Sequence, residues 1–178
     1  MRRLAALALS AGALAASASA GERRWYLQVD NDVVFHTDRW YTSGLRLACE
    51  RRDVELGIVQ EIYTPDAKHW RTGEVDRIPT ARLLLSLARH LRDASAFQTI
   101  ELAAGVRGPA ALGRETTEDI HRVIPAPAVD WSRQLGNRLD ARVAYARTQA
   151  VGEGPLQAHF GAVLGNQVSL AQIGRAHV

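Results

Sequence analysis

Apolar and polar residues alternate along much of this chain, in segments of about ten residues. The first such segment places Trp25, Leu27 and Val29 on one parity, with polar residues between them. A period of two is typical of a β-strand, because successive side chains leave opposite faces. Similar patterns lie around residues 41–50, 54–62, 97–107 and 139–145. We therefore predict an all-β protein with about seven strands in this chain.

The second parity of these segments carries charge, which leaves two architectures open. Arg46 and Glu50 share one polar parity, and Glu55 and Glu61 share another. Such residues fit the solvent face of a soluble β-sandwich and equally the polar interior of an outer-membrane barrel. Residues 81–91 are ambiguous in another way, because their leucines form a stripe on either a helix or a strand.

Two stretches between the predicted strands read as irregular. Residues 64–79 contain Pro65, Gly73 and Pro79, which favour a loop. Residues 108–137 form a longer connection, with a polar stretch at 114–121 that is suited to a short helix. A long connection with its own helix is often functional.

The two ends differ from the rest of the chain. Residues 1–20 have two arginines, an apolar stretch and small residues at the end, which predicts a signal peptide. Residues 173–178 match a translated sequencing adapter, so we expect 21–172 to be the N-terminal part of a single barrel domain. Without Arg2, Arg3 and Arg175, basic residues equal the 19 acidic ones. The net charge of +3 therefore gives no reason to expect nucleic acid as a partner.

The remaining composition is consistent with a secreted strand protein. A single cysteine, Cys49, allows no internal disulfide, so backbone pairing and packing must supply the stability. After residue 20, no segment approaches the roughly 18 uncharged apolar residues of a membrane-spanning helix.

Two polar clusters around the first predicted hairpin are candidates for a site. Asp30, Asn31 and Asp32 offer oxygen ligands of the kind that calcium prefers, although an Asx turn explains the same residues. Thr42 begins the next strand on its polar parity. It could hydrogen-bond across the hairpin to the first cluster, or it could be a β-branched residue that favours a strand.

The third candidate is His121, in the long connection. Histidine is well suited to removing a proton from water near neutral pH, although a lone surface histidine often has no role. The sequence has no G-x-S-x-G elbow and no H-E-x-x-H motif. Any hydrolysis would therefore use activated water.

Several short motifs follow one another in a recognisable order. They are Asn31-Asp32, TDRWYTSGLRL at 37–47, QEIYTP at 60–65, GVRGP at 105–109, HRVI at 121–124 and WSRQLGN at 131–137. In order and approximate spacing, over residues 26–147, the chain resembles the outer-membrane lipid A 3′-O-deacylase family (LpxR).

The resemblance implies a fold, a location and a reaction. We expect a twelve-stranded antiparallel barrel in the outer membrane of a Gram-negative bacterium, truncated here at its C-terminus. Its active site would lie between the barrel wall and a short helix, near the outer leaflet. The implied reaction is calcium-dependent hydrolysis of an acyl ester of lipid A, with lipopolysaccharide and outer-membrane lipids as partners.

The resemblance also implies roles for individual residues. Asp32 would hold the calcium ion, and Asn31 and Thr42 would belong to the polar shell that orients the substrate or stabilises the oxyanion. His121 would be the base that activates water. Lys68 would meet the anionic head group, with His69 where the family has a second basic residue.

Two features of this chain depart from or constrain that pattern. Pro127 stands where the family has a glutamate, and Asp130, Glu118 or Asp119 are the candidates to orient His121 instead. Asn31 and Asp32 are adjacent, so the strand must end or bulge for both to serve one site. The alternatives are a non-catalytic barrel on the same scaffold and a soluble periplasmic β-sandwich that binds a ligand.

Overall fold

The computed structural model describes residues 22–31, 43–65, 77–123, 128–152, 156–166 and 169–177. Eight strands form one antiparallel sheet in chain order, and within these residues the sheet is not closed. The strands are β1 (Arg24–Asn31), β2 (Ser43–Arg51), β3 (Val54–Tyr63), β4 (Thr80–Arg92), β5 (Ala96–Arg107), β6 (Arg138–Ala150), β7 (Leu156–Gly165) and β8 (Ser169–His177). One α-helix, α1 (Gly113–Val123), lies between β5 and β6, with 3₁₀ turns at Pro109–Ala111 and Trp131–Arg133.

The two ends of the sheet differ in the length of their connections. At one end β2 and β3 are joined by Arg52 and Asp53 alone, both with positive φ. The connections from β4 to β5 and from β6 to β7 are also short there. The opposite end carries the long connections after β1, β3 and β5. Short turns on one side and long loops on the other are typical of outer-membrane barrels.

The sheet exposes its apolar face and buries its charged face, which is the reverse of a soluble protein. Large apolar side chains are exposed on one face, including Trp25 at 65%, Leu56 at 63% and Leu85 at 67%. The other face buries charged residues, such as Glu55 at 2% and Asp140 at 2%. A soluble sandwich buries its apolar faces and a membrane barrel exposes them to lipid. The alternative of a soluble sandwich is therefore wrong.

Arg46 is at the centre of the buried charged face. Its Nε atom lies 3.0 Å from Glu55 and its Nη2 atom 2.6 Å from Glu101. Glu55 also accepts a hydrogen bond from the Tyr26 hydroxyl, and its other contact is His90 Nε2 at 2.9 Å. One guanidinium thus joins two carboxylates from β3 and β5, which are not neighbouring strands.

The same alternation continues across the sheet towards β6. Arg142 lies between two carboxylates, at 3.5 Å from Glu101 and 2.7 Å from Glu61. Arg82 lies between the next two, at 3.2 Å from Glu61 and 3.0 Å from Asp140. Each buried arginine therefore lies between two acids. Their mutual attraction offsets part of the free energy that removing the positive and negative groups from water costs. We call this series, from Glu55 to Asp140, the inner ion-pair chain.

The structure confirms the predicted all-β fold and resolves the ambiguous segment. Residues 81–91 lie within β4 and not in a helix, and its leucines are paired on both sides by β3 and β5. The predicted short helix at 114–121 is α1. The sheet has eight strands where about seven were expected. None of the helices in the described ranges has the length and hydropathy needed to span a membrane.

The predicted signal segment, residues 1–20, lies outside the described residues. The backbone of β8 includes most of 173–178 and pairs with β7. The division into signal, barrel and tail stays a prediction.

Replacing Arg46 should test the inner ion-pair chain. Arg46→Met leaves Glu55 and Glu101 buried without their shared cation, so we expect the free energy of unfolding to fall by about 3–5 kcal/mol. Urea titration of the folded protein in detergent measures this. The control is Arg114→Met, which removes an exposed i,i+4 pair with Glu118 and should cost about 0.5 kcal/mol. An equal fall in the free energy of unfolding of the two variants would show that the inner ion-pair chain does not stabilise the sheet.

Candidate functional site

The helix α1 and the two 3₁₀ turns pack on the apolar face of the sheet, which is the outer face. Their small core joins Ile62 of β3 and Ala81 of β4 with Ala111 and Trp131 from the long connection. Leu83 and Val106, from the same face of β4 and β5, pack against it. The charged interior lies on the opposite side of the strands. The long connection therefore folds back over the wall, at the end that carries the long connections.

One side of α1 faces this wall. Gly113 and Thr117 are buried, and His121, one turn further along, is half-buried. Residues four apart share a helix face, so these three form a single stripe. A Cβ atom at Gly113 would lie 2.3 Å from the Ala81 Cβ, which shows how closely the helix begins against β4. His121 therefore lies on the same face of α1 as the two residues that pack on the wall.

Backbone and amide contacts hold the start of the long connection. Gly108 has φ of 106°, and its N–H donates to the Ala81 carbonyl at 2.9 Å. The Gln60 side chain donates to the Ala111 carbonyl at 2.7 Å, and Asn137 accepts from the Ala110 N–H at 2.8 Å. Because Gln60 belongs to β3, the connection is tied to the wall independently of α1.

His121 has no hydrogen bond or ion pair with any residue in the described part of the chain. The three carboxylates expected to orient it are engaged elsewhere. Glu118 pairs with Arg114 at 2.7 Å, and Asp119 pairs with Arg122 at 2.8 Å. Asp130 accepts a hydrogen bond from the Ser132 N–H at 2.9 Å. Hydrogen bonds from the side chain and backbone of Ser132 hold the pKa of the Asp130 carboxyl below its usual value. None of the three takes the place of the glutamate replaced by Pro127.

Of the remaining candidate residues, Asn31 is the one that the structure describes. It lies in β1, and the end or bulge expected between Asn31 and Asp32 stays a prediction. Its backbone is in register with Ser43, and Ser43 is in register with Ile62 and so with Ala81. Asn31 and the base of α1 thus belong to one row across the wall. Asp32, Thr42, Lys68, His69 and Pro127 lie outside the described residues.

Within the described ranges, no three His, Cys, Asp or Glu side chains cluster in a way that could hold a metal ion. Ser43, which follows Thr42, is 5% exposed.

Sequence reasoning identified His121 but missed the residues that seat its helix. Gly113, Thr117 and Trp131 form the contact with β4, and Trp131 is 5% exposed. The available signal was the spacing of four between Gly113, Thr117 and His121, which marks one face of a helix. The indole nitrogen of Trp131 has no hydrogen-bond partner among the described residues.

An antiparallel sheet with an apolar outer face, an ionic inner face and a helix packed on its outer wall defines an outer-membrane barrel protein. The family model described as "Outer membrane protein LpxR" matches residues 4–176. This chain therefore belongs to the LpxR family and is an outer-membrane protein.

A solved structure supports the same assignment. The chain is similar to LpxR from Salmonella typhimurium, at 26% sequence identity and a TM-score of 0.66. The match covers 84% of this chain and 60% of that structure, so the chain spans less than two thirds of its length. A comparison with curated protein sequences finds no match.

The close approach of α1 to the wall can be tested at Gly113. The added methyl of Gly113→Ala collides with Ala81, so we expect α1 to shift and the free energy of unfolding to fall by about 1–3 kcal/mol. Trypsin should also cleave faster at Arg114 and Arg122. Gly136→Ala is the matched control, because a Cβ there meets nothing within 4 Å. Identical urea and trypsin results for both variants would contradict close packing of the helix.

Proposed function

We propose that this protein hydrolyses an acyl ester of lipid A, as a calcium-dependent 3′-O-deacylase of the outer membrane. The observation that supports this is the position of the His121 stripe, on the outer, lipid-exposed wall and not in the ionic interior. A membrane lipid that diffuses along the wall reaches this place without leaving the bilayer. A water-soluble substrate would need no such position.

His121 is the proposed base. Its ring makes no hydrogen bond to any described residue, so both nitrogens are available to water or substrate. The imidazole takes a proton from a water molecule as that water attacks the ester carbonyl, and then returns it to the departing sugar oxygen. Because His121 is half-buried, part of the residue stays accessible to a substrate.

The wall beneath α1 offers a surface for the acyl chain. Leu83 and Val106 are only partly covered by the helix core, and the apolar band of the sheet continues from them toward Leu85 and Leu102. An acyl chain that runs along this band keeps its contact with apolar side chains while its ester end meets α1. In this proposal Lys68 binds the anionic head group, the role that the family resemblance implies for it.

The residue proposed to hold the metal suits calcium. Asp32 offers a carboxylate, an oxygen donor of the kind calcium takes, with help from backbone carbonyls. Asn31 and Ser43, the neighbours of Asp32 and Thr42 in sequence, are cross-strand partners. Bound calcium would polarise the ester carbonyl and stabilise the negative charge that develops on its oxygen. Asn31 and Thr42 would orient the substrate from the same side.

One observation favours a second candidate, a non-catalytic barrel on the same scaffold. No carboxylate in the described ranges contacts His121, and Pro127 replaces the glutamate that the family resemblance implies. A base without an orienting partner is less effective. The two candidates differ in whether lipid A changes in mass.

The test uses the full-length protein, expressed in an outer membrane and supplied with calcium. We expect lipid A to lose one acyl chain in mass spectra, and we expect chelation of calcium to stop the loss. His121→Ala should lower the rate by at least about 100-fold, the usual contribution of a general base. Arg122→Ala, an exposed neighbour on the other side of α1, is the control and should retain the wild-type rate.

Unchanged lipid A with folded wild-type protein would contradict the deacylase and support the non-catalytic barrel. A calcium titration of wild type and Asp32→Asn then separates the causes. If binding of calcium is the same in both proteins, Asp32 is not its ligand.

A further inference from the structure

Arginines line the outer face at the short-turn end of the sheet, opposite the end that carries α1. Arg51, the last residue of β2, is in register with Val54, and Val54 is in register with Arg89 of β4. Arg23 directly precedes the first residue of β1, where Arg24 is in register with Glu50. All three side chains, Arg23, Arg51 and Arg89, are exposed.

These outer arginines differ from the inner ones at the same level. Arg24 and Arg92, on the inner parity, pair with Glu50 at 3.9 and 3.2 Å, and Arg92 also lies 3.3 Å from Asp53. Arg23, Arg51 and Arg89 have no ion-pair partner among the described residues. The outer face of this end thus presents uncompensated positive charge next to lipid.

An apolar groove begins at two of these arginines and runs along the wall. Its volume is about 730 Å³, and Arg23 and Arg51 lie at its end. The rest is formed mainly by apolar side chains of β1 to β4: Trp25, Leu47, Val54, Leu56, Ile58 and Leu85. From Arg51 to Leu47 the groove follows four residues of β2, about 13 Å of strand.

We propose that this groove binds an anionic phospholipid of the leaflet that surrounds the short-turn end, with its phosphate between Arg23 and Arg51 and an acyl chain along Leu56. Arg89, two strands from Arg51 in the same row, adds a third positive charge to this end of the wall. The site is separate from the proposed ester-hydrolysis site, which lies at the opposite end of the strands, and it does not depend on that function.

The phosphate, not the acyl chain, must supply the preference for this lipid. An acyl chain already in the bilayer gains little from contact with the wall, because lipid tails are as apolar as leucine. Guanidinium groups at the membrane interface bind phosphate with charge-assisted, bidentate hydrogen bonds. Arginines that lie at the membrane interface without forming a site would bind all lipids equally. The test must distinguish this case from a preference for the anionic lipid.

The test is a native mass spectrometry titration of the full-length protein in detergent. The probes are phosphatidylglycerol, a diacylglycerol with the same chains, and inorganic phosphate. We expect phosphatidylglycerol to bind, diacylglycerol to bind at least about tenfold more weakly, and inorganic phosphate not to compete. Arg23→Gln with Arg51→Gln should weaken the binding of phosphatidylglycerol about tenfold, whereas Arg23→Lys with Arg51→Lys should weaken it less, because the charges remain and only the bidentate hydrogen bonds are lost.

The matched control is Arg133→Gln with Arg138→Gln, two exposed arginines at the other end of the sheet. An equal loss of affinity in this control would overturn the proposal, because any surface arginine would then serve. Equal binding of diacylglycerol, or displacement of the lipid by inorganic phosphate, would overturn it as well.

A second measurement keeps the proposal testable if the double glutamine variant does not fold. Phosphatidylglycerol with brominated acyl chains should quench the fluorescence of Trp25, which lines the groove. The quenched fraction should disappear in Trp25→Phe. Quenching that is the same in wild type and Trp25→Phe would show that no chain occupies the groove.

Discussion

The inner ion-pair chain is the interaction on which the rest of this structure depends. Three arginines, Arg46, Arg142 and Arg82, alternate with four carboxylates across five strands, β2 to β6. Buried charges of one sign alone would be expelled into water or neutralised, and would prevent the sheet from forming. Because each arginine bridges two acids, the ionic interior joins strands that share no backbone hydrogen bonds.

The charged side chains pair with one another on the inner face, and the large apolar side chains lie on the outer face, towards lipid. The leucines and Trp25 that cover this face would be a liability in water, where large apolar patches associate. In the outer membrane these side chains contact lipid, and a helix such as α1 can pack on them from outside the sheet.

The sequence predicted the strands well because alternation is a local property. It could not say which parity faces inward, since a sandwich and a barrel alternate in the same way and differ only in their solvent. The ion pairs could not be predicted from the sequence either. Glu61 and Arg142 are 81 residues apart, and three strand pairings, β3 with β4, β4 with β5 and β5 with β6, bring their strands together. Similarly, a spacing of four between Gly113, Thr117 and His121 marks one helix face, but it does not indicate the surface that this face contacts.

The members of the candidate site stay predictions, and His121 was chosen from its chemistry alone. The structure adds that His121 lies on the face of α1 that carries the buried Gly113 and Thr117. The carboxylates proposed to orient it were chosen by closeness in sequence, and on a helix that criterion fails. Glu118 and Asp119 lie three and two residues before His121, but Arg114 at i,i+4 pairs with Glu118 and Arg122 at i,i+3 pairs with Asp119. If His121 is a base, its orientation must come from the packing of α1 on Ala81 and from the substrate itself. Catalysis would then depend on Gly113 as much as on any charged residue near the histidine.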